Sequence, residues 1–365
     1  MQSQINNNNI NNTLYVGMDL HKNNSVFCCK DYSGVIVDRR KVLTDRNDIS
    51  RYVRSFQNSW SNISLVMEPV SQWYFFADLL QDMNVDVHLA HPMKVKAIAS
   101  ARIKTDEIDS SVLCDLLRSN MLPEAYFSPP NVRDWKEMVR YRASLVNLRT
   151  QVKNKIHSIL FKHALKHEFT DLFGKSGRLW LESLTLKEPF KSNLDNYLKS
   201  IDHFTFLIKE SETTIESLVS ENEQTKLLVS IPGIKYISAL SIMAEIGDVN
   251  RFLSSKKLMG YAGLVPSTYS SGDKVAHGRI TKQGSKWLRY IMIEIAHNQL
   301  RCKRKPGFGT YYRKVQKRKG SKTAAVATAR KLLAVVWRVL KDKREWQESA
   351  PAVGSQRLLT EIISS

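Results

Sequence analysis

LYVGMDL (14–20) is a short apolar run that closes on an acid, and the next two residues are His21 and Lys22. Such a run has the character of a buried strand. Working outward, SVFCCKD and GVIVDRRKV flank the turn signal Tyr32-Ser33-Gly34 and predict a hairpin. A polar helical stretch near 46–59 leads to SLVMEP (64–69), another short buried strand, closed by Pro69. A helix over 72–83 precedes VDVHLAHP (85–92), a third candidate central strand. Strands alternating with helices after an opening hairpin predict a mixed α/β layered domain, assigned to residues 13–130.

From about residue 131 the texture changes. Leu145, Leu148, Val152, Ile156 and Ile159 recur at helical spacing, with Lys and Arg between them. Leu194, Ile201, Ile208 and Ile215 then repeat at seven-residue steps, with Leu198 and Leu218 alongside. The stretch 131–226 is expected to form two long antiparallel helices, a coiled-coil-like linker or dimerisation arm, around a loop-like region containing Gly174, Gly177 and Pro189. The other reading of the same pattern is two amphipathic helices packed on a neighbouring domain. A mainly helical C-terminal domain, 227–345, opens on SIPGIKYISALSIMAEIG, whose Pro-Gly turn between helices resembles a helix-hairpin-helix. The Asn-rich residues 1–12 and the stretch 346–365 are expected to be tails, the first disordered.

The chain has 365 residues, 42% of them hydrophobic and 25% charged, which excludes wholesale disorder and fibrous repeats. With 55 Lys+Arg against 35 Asp+Glu it carries a net charge of +20, and a polyanionic partner follows, nucleic acid before membrane. The excess is local: 274–344 holds 21 Lys+Arg against Glu294 and Asp342, a net of +19. No apolar run is long enough for a spanning helix, and MQSQINNNNINN does not read as a signal peptide. Cys28, Cys29, Cys114 and Cys302 form no CxxC pair, which argues against structural zinc and disulfides and suits a reducing, cytoplasmic location.

Four acids stand out. Asp19 ends the first strand and Glu68 another, while Asp106 and Asp109 in KTDEIDSSVLCDLL share a helical face. Strand-end acids meeting a helical acid pair can gather hard oxygen ligands around Mg²⁺, and two such ions can hold both oxygens of a phosphodiester. Taken singly, each acid also reads as a turn or cap residue, and Asp106 as an N-cap. His21, His88, His91 and His277 give no ligand pair on one helix face, which argues against a histidine-metal site.

GLVPSTYSSGDKVAHGRITKQGSKWLR (263–289) places Ser267, Thr268, Tyr269, Ser270 and Ser271 between Pro266 and Gly272. Lys274, Arg279, Lys282, Lys286 and Arg289 follow, suited to neutralising phosphate around a nucleophile, and Arg301, Lys303, Arg304 and Lys305 extend the basic set. Residue chemistry alone leaves Tyr269, Ser270 and Ser271 open as nucleophiles. Trp287, Tyr290, Tyr311 and Tyr312 could stack on unpaired bases, although Trp287 and Tyr290, three apart, read better as core residues of a short helix.

In this order, YVGMDLHK, VMEP, KTDEIDSSVLCDLL, IPGI and the YSSG and GRITKQG motifs closely resemble the DEDD-type transposases of bacterial insertion sequences. These are relatives of Piv-type DNA invertases and of RNA-guided bridge recombinases. The resemblance spans residues 13 to about 340. It implies an RNase H/RuvC-like first domain, a helical linker, and a C-terminal transposase domain. It also implies a Mg²⁺ site on Asp19, Glu68, Asp106 and Asp109, with Mn²⁺ as substitute, and Ser271 as the nucleophile forming a 5′-phosphoserine link to DNA. Implied partners are donor and target duplexes, a structured guide RNA, and further copies of the chain as dimers assembling to tetramers, in a bacterial, nucleoid-associated setting. Pro-Val-Ser follows Glu68 where relatives carry Ala-Thr-Gly, and Thr281 replaces a commoner Ser. The main rival is a hydrolytic, junction-resolving RuvC-like nuclease using the acids without a serine. A non-enzymatic nucleic-acid-binding protein is a further rival, in which the acids are structural.

Overall fold

The computed structural model describes residues 12–98, 105–271, 274–302 and 307–347, and of 269–271, 274, 275, 277 and 307 the backbone alone. The chain divides after Phe127 into two compact units.

The first unit is built on β1 (Thr13–Leu20), β2 (Asn24–Lys30), β3 (Ile36–Leu43), β4 (Asn62–Met67) and β5 (Asp86–Leu89). They lie in the order β3-β2-β1-β4-β5, a mixed sheet in which β2 runs antiparallel to β1 and β3, and β4 parallel to β1 and β5. The hairpin and the three central strands read from the sequence are all present. Between and after them come α1 (Arg46–Gln57), α2 (Trp73–Asp82), α3 (Pro92–Ile98) and α4 (Asp106–Arg118).

Strand alternation sorts β1 between two helical layers. Leu14, Val16, Met18 and Leu20, with Phe27 and Cys29 of β2, pack against Ile49, Tyr52 and Val53 of α1 and Phe76 and Leu80 of α2. Tyr15, Gly17 and Asp19 point the other way, toward α4. There the Cys114 thiol bonds the Tyr15 carbonyl at 3.2 Å. Buried Lys30, opposite Tyr15, donates to Asp115 at 2.6 Å and Ser111 at 2.9 Å. Gly17 lets the layers close, because a Cβ there would sit 1.9 Å from the Ser110 carbonyl oxygen. Thr105 caps α4, its Oγ1 accepting from the Ile108 amide at 3.3 Å, so Asp106 is the first helical residue and not the cap.

The second unit begins with α5 (Pro130–Lys162), which has proline in its first turn. It packs along α7 (Phe190–Glu221), where the heptad residues Leu194, Ile201, Ile208 and Ile215 are all buried. Arg142 meets Glu212 and Arg149 meets Thr205, a descending pairing that makes the two helices antiparallel. The connection is not simply a loop: α6 (Lys175–Ser183) folds there and buries Leu181 in the same cluster. Apolar residues at 172, 180, 181 and 184 give that segment enough surface to pack as a helix, which Gly174 at its start and Gly177 within it obscured.

Next come α8 (Glu223–Val229), α9 (Tyr236–Ile246), a 3₁₀ turn (Val249–Arg251) and α10 (Ser255–Tyr261). A hairpin of β6 (Pro266–Ser271) and β7 (Lys274–Ile280) follows, then α11 (Lys286–Asn298), α12 (Gly307–Lys319) and α13 (Ser321–Asp342). Leu332, Leu333 and Val336 of α13 are fully buried among residues of α9, α10 and α11. The IPGI turn packs inward: Ile231 and Ile234 are buried, and Gln299 donates to the Pro232 carbonyl at 2.7 Å. Trp287 and Tyr290 are exposed, in contrast to the core role read from their spacing, while Tyr312 is wholly buried and its hydroxyl meets His297 and Ser321.

Candidate active site

The β-sheet register decides which acids meet. Met18 pairs with Met67 across the parallel β1–β4 ladder, so one step further sets Asp19 beside Glu68, just past the end of β4. Glu68 has the parity of Val66, which packs on the α4 side with Leu113 and Leu116. The first turn of α4 carries Asp106 and Asp109 over the same face of the sheet. Four residues from three separate stretches of chain are thereby delivered to one end of the sheet.

Within this group the ligand atoms of Asp19, His21 and Asp106 lie within 4.8 Å of one another. His21 Nε2 stands 3.0 Å from Asp19 Oδ2 and 3.5 Å from Asp106 Oδ1, so the imidazole bridges the two carboxylates. Glu68 and Asp109 are outside that 4.8 Å cluster, although Asp109 is close enough for its charge to act on Asp19. Asp19 is the most enclosed of the bridged trio, with 15% of its side chain exposed against 52% for His21 and 56% for Asp106. Burial pushes the Asp19 carboxyl above the ordinary carboxylate range; His21 opposes this, and the Asp106 and Asp109 charges reinforce it. A cluster of carboxylates whose mutual repulsion disfavours ionisation fits a hard divalent cation, which would relieve that repulsion. In the sequence His21 stands among histidines whose spacing argued against a histidine-metal site, whereas the fold brings its ring within ligand distance of Asp19 and Asp106. Its signal was its place two residues beyond a strand-end acid, but only the chain reversal into β2 turns the ring back onto that acid.

The serine segment is a hairpin and not an open loop. Ser271 and Lys274 form its last cross-strand pair, with residues 272 and 273 between them outside the described set. The side chains of Tyr269, Ser270, Ser271, Lys274 and His277 also lie outside the described residues. The base of the hairpin is fixed by Thr281 N–H on the Val265 carbonyl at 2.9 Å and Ser285 N–H on the Tyr261 carbonyl at 2.8 Å. Gly284 has φ +94°, and a Cβ there would meet the Tyr261 carbonyl oxygen at 2.1 Å. Ser285 caps α11 and donates to buried Glu245 at 2.7 Å, and Arg140 reaches the other oxygen of Glu245 at 3.2 Å. Arg140 also lies over the Trp287 ring at 5.9 Å. This polar junction was invisible in the sequence, since Glu245 sits inside the apolar run of α9.

Of the basic residues, Arg279, Lys282, Lys286 and Arg301 are exposed. Arg289 is half-buried and donates to the Ala262 carbonyl at 2.9 Å, so it supports the hairpin base. Lys303, Arg304 and Lys305 lie outside the described residues. No helix among the described residues is long and apolar enough to cross a membrane.

Comparison with known proteins extends over nearly the whole chain. Residues 16–164 match a transposase family of the DEDD, IS110 type, and residues 225–313 match the transposase IS116/IS110/IS902 family. The transposase for insertion sequence element IS1111A of Coxiella burnetii is 26% identical, the match covering 89% of each chain. The transposase for IS1328 of Yersinia enterocolitica is 25% identical over 89% of this chain and 96% of its own. A pilin gene-inverting protein of Moraxella bovis is 23% identical over 92% and 98% respectively. With the strand-end acids, the acidic first turn of α4 and the serine hairpin in their order along the chain, these matches identify the protein as a member of the IS110-type DEDD transposase family, enzymes of DNA recombination.

Proposed function

We propose that this transposase cuts and rejoins the DNA of its insertion sequence through a covalent 5′-phosphoserine intermediate on Ser271, with Asp19, Glu68, Asp106 and Asp109 as the divalent-cation site. The observation carrying this reading is the register that sets Glu68 beside Asp19 under the acidic first turn of α4. The strand order β3-β2-β1-β4-β5, with only β2 reversed against its neighbours, supports an RNase H/RuvC-like first domain.

In the proposed step the Ser271 oxygen attacks a DNA phosphorus, the bond from phosphorus to the 3′ oxygen breaks, and the strand leaves with a free 3′-hydroxyl. The serine proton passes to a carboxylate of the cluster and from there to the departing 3′ oxygen, and the phosphoester conserves the bond for rejoining. Bound Mg²⁺, or Mn²⁺ in its place, would supply charge neutralisation at the phosphate. Asp19 and Asp106 would hold the cation most directly, with Glu68 and Asp109 completing the oxygen set, and His21 must yield the space between the first two. A composite site, the carboxylates of one copy serving the serine of another, would require assembly as dimers and tetramers. Residues 131–226 then act as the arm joining catalytic modules 13–130 and 227–345. The exposed Arg279, Lys282, Lys286 and Arg301, with Lys274 and Lys303 to Lys305, supply the cationic surface for donor and target duplexes and for a structured guide RNA, within the bacterial nucleoid.

The test is an adduct assay. The protein, incubated with element-end DNA, RNA transcribed from the element's non-coding end and Mg²⁺, should give a protein–DNA species that survives denaturation. Ser271→Ala should lose that species and retain DNA binding. Persistence of the adduct in Ser271→Ala with loss in Tyr269→Phe would move the nucleophile to Tyr269. Cutting by Ser271→Ala with no adduct in either protein would favour the hydrolytic nuclease.

A further inference from the structure

Counting charge along the chain places almost all of the excess after residue 274, yet the sheet gathers a second basic surface in the first unit. The outermost strand β3 carries Arg39, Arg40 and Lys41, all exposed. The ladders give their directions. Asp19 pairs with Val26, and Val26 with Lys41, so Lys41 lies in the same cross-strand row as Asp19 and on the same face. Two strand spacings separate them, about 10 Å between Cα atoms. With Glu68 extending the row beyond β4, it reads Glu68–Asp19–Val26–Lys41 across four strands.

Arg39 belongs to the next row on the same face, opposite Cys28, which faces Gly17. Its guanidinium is 3.8 Å from Glu107 in the first turn of α4. Arg40 has the opposite parity and lies over the Tyr52 ring of α1 at 5.5 Å, on the far side of the sheet. Lys41 has no ion pair among the described residues. An open cavity of about 480 Å³ runs between β3 and the start of α4, lined by Val26, Arg39, Arg40, Lys41, Thr105, Asp106 and Glu107; Arg40 borders it as part of the strand, while its guanidinium lies over Tyr52 and near Asp38. The cavity shares Asp106 with the carboxylate cluster.

A cluster of acids repels a phosphodiester chain on either side of the one phosphate that a cation can neutralise, so the flanking phosphates need cations of their own. Lys41 and Arg39 stand in register to provide them. We infer that the β3 groove is a strand-guiding site: Lys41 and Arg39 bind the DNA phosphates next to the one presented to Asp19 and Asp106. The inference rests on the proposed reaction at the carboxylates and adds the path by which DNA reaches them. Lys41, on a flexible stem, contributes a point charge, while the planar fork of Arg39 can hold two phosphate oxygens at once.

The test uses the full-length chain carrying Ser271→Ala, in EDTA, with a fluorescein-labelled 30-nucleotide single strand of DNA titrated over a series of KCl concentrations. Combining Arg39→Ala with Lys41→Ala should weaken binding roughly tenfold and make the slope of log K against log salt shallower by about 1.4, two phosphates at about 0.7 each. Arg40→Ala, on the opposite face, should keep the slope. Arg39→Gln with Lys41→Gln, which keeps the strand polar, should reproduce the double-alanine result if that protein folds poorly. An unchanged slope in both double variants would overturn the inference. So would an equal loss in Arg40→Ala, or a loss confined to an RNA strand of the same length. Because binding is read without chemistry, the two readings fail separately. A slope change with no adduct in the unmutated protein would sink the phosphoserine mechanism alone, and an adduct with unchanged slopes would sink the groove alone.

Discussion

The contact of Gly17 with α4 makes one substitution a direct test of how the acids are held. In Gly17→Ala the new methyl would lie 1.9 Å from the Ser110 carbonyl oxygen, 2.7 Å from the Cys114 amide nitrogen and 3.0 Å from the Cys114 Cβ. Ordinary contact begins at 3.4 Å, so helix and strand must separate by about 1.5 Å at that point. The obstructing atoms are mostly backbone, and no rotamer change relieves them. Overpacking of this kind costs about 1–3 kcal/mol, which for a unit of this size lowers the melting temperature by roughly 4–12 °C. The functional effect should be larger in proportion. Gly17 is two residues before Asp19, and α4 bears Asp106 and Asp109 in its first turn, so the shift opens the cluster along the line between its two halves. A displacement near 1 Å in a catalytic constellation costs about a hundredfold in rate. The assay pairs thermal melting by circular dichroism with the initial rate of adduct formation, measured well below the melting temperature. Gly260→Ala is the comparison, since a Cβ there meets nothing within 4 Å; it should melt at or slightly above the unmutated temperature and keep full activity. A Gly17→Ala protein that loses stability but keeps its rate would refute the claim that α4 packing positions the acids.

Two further predictions follow from the electrostatics. The raised Asp19 pKa means that the folded state disfavours the charged carboxylate: its stabilising contribution is complete below the unfolded carboxylate value and is lost as pH rises through the folded one. Asp19→Asn should therefore flatten the fall in metal-free melting temperature above about pH 4 and abolish the Mn²⁺-induced rise at pH 7; a variant as pH-dependent and Mn²⁺-responsive as the unmutated protein would contradict this. Glu245→Leu should cost about 1–3 kcal/mol, because it strands Arg140 and Ser285, whereas Glu245→Gln should cost less; equal melting temperatures for Glu245→Leu and the unmutated protein would show that the junction bears no load.

How much could be read in advance depended on how local the cause was. The strand at 14–20 and its terminal acid were legible because a short apolar run and its end are local facts. Asp106 and Asp109 were legible as a pair because their spacing fixes a common helical face. What sets Asp19 against Glu68 is a parallel ladder between strands almost fifty residues apart, which spacing along the chain does not encode. His21 depends on a chain reversal, and Lys41 on two successive cross-strand registers. A net charge summed by segment averages such a row away. Trp287 and Tyr290 show the complementary limit: their i, i+3 spacing placed them together but could not say whether that face meets the core or solvent.

The position of β3 has a consequence for handling the protein. At the other margin of the sheet, β5 is partly closed by the bridge between Ala90 and Glu124. Among the described residues β3 has no neighbouring strand on its outer side, and Ile36, Val37 and Leu43 are exposed along it. A row of unpaired amides and carbonyls beside apolar side chains is a template for a strand from another molecule. Asp38, Arg39, Arg40 and Lys41 interrupt that row with charge, and two copies brought edge to edge would oppose their cations. The residues that would guide DNA thus also keep the chain from self-assembling into extended sheets, and nucleic acid neutralising them would relax that protection. Preparations in high salt, which screens the repulsion, or saturated with short oligonucleotides should be watched by light scattering, with β3 as the first segment to suspect.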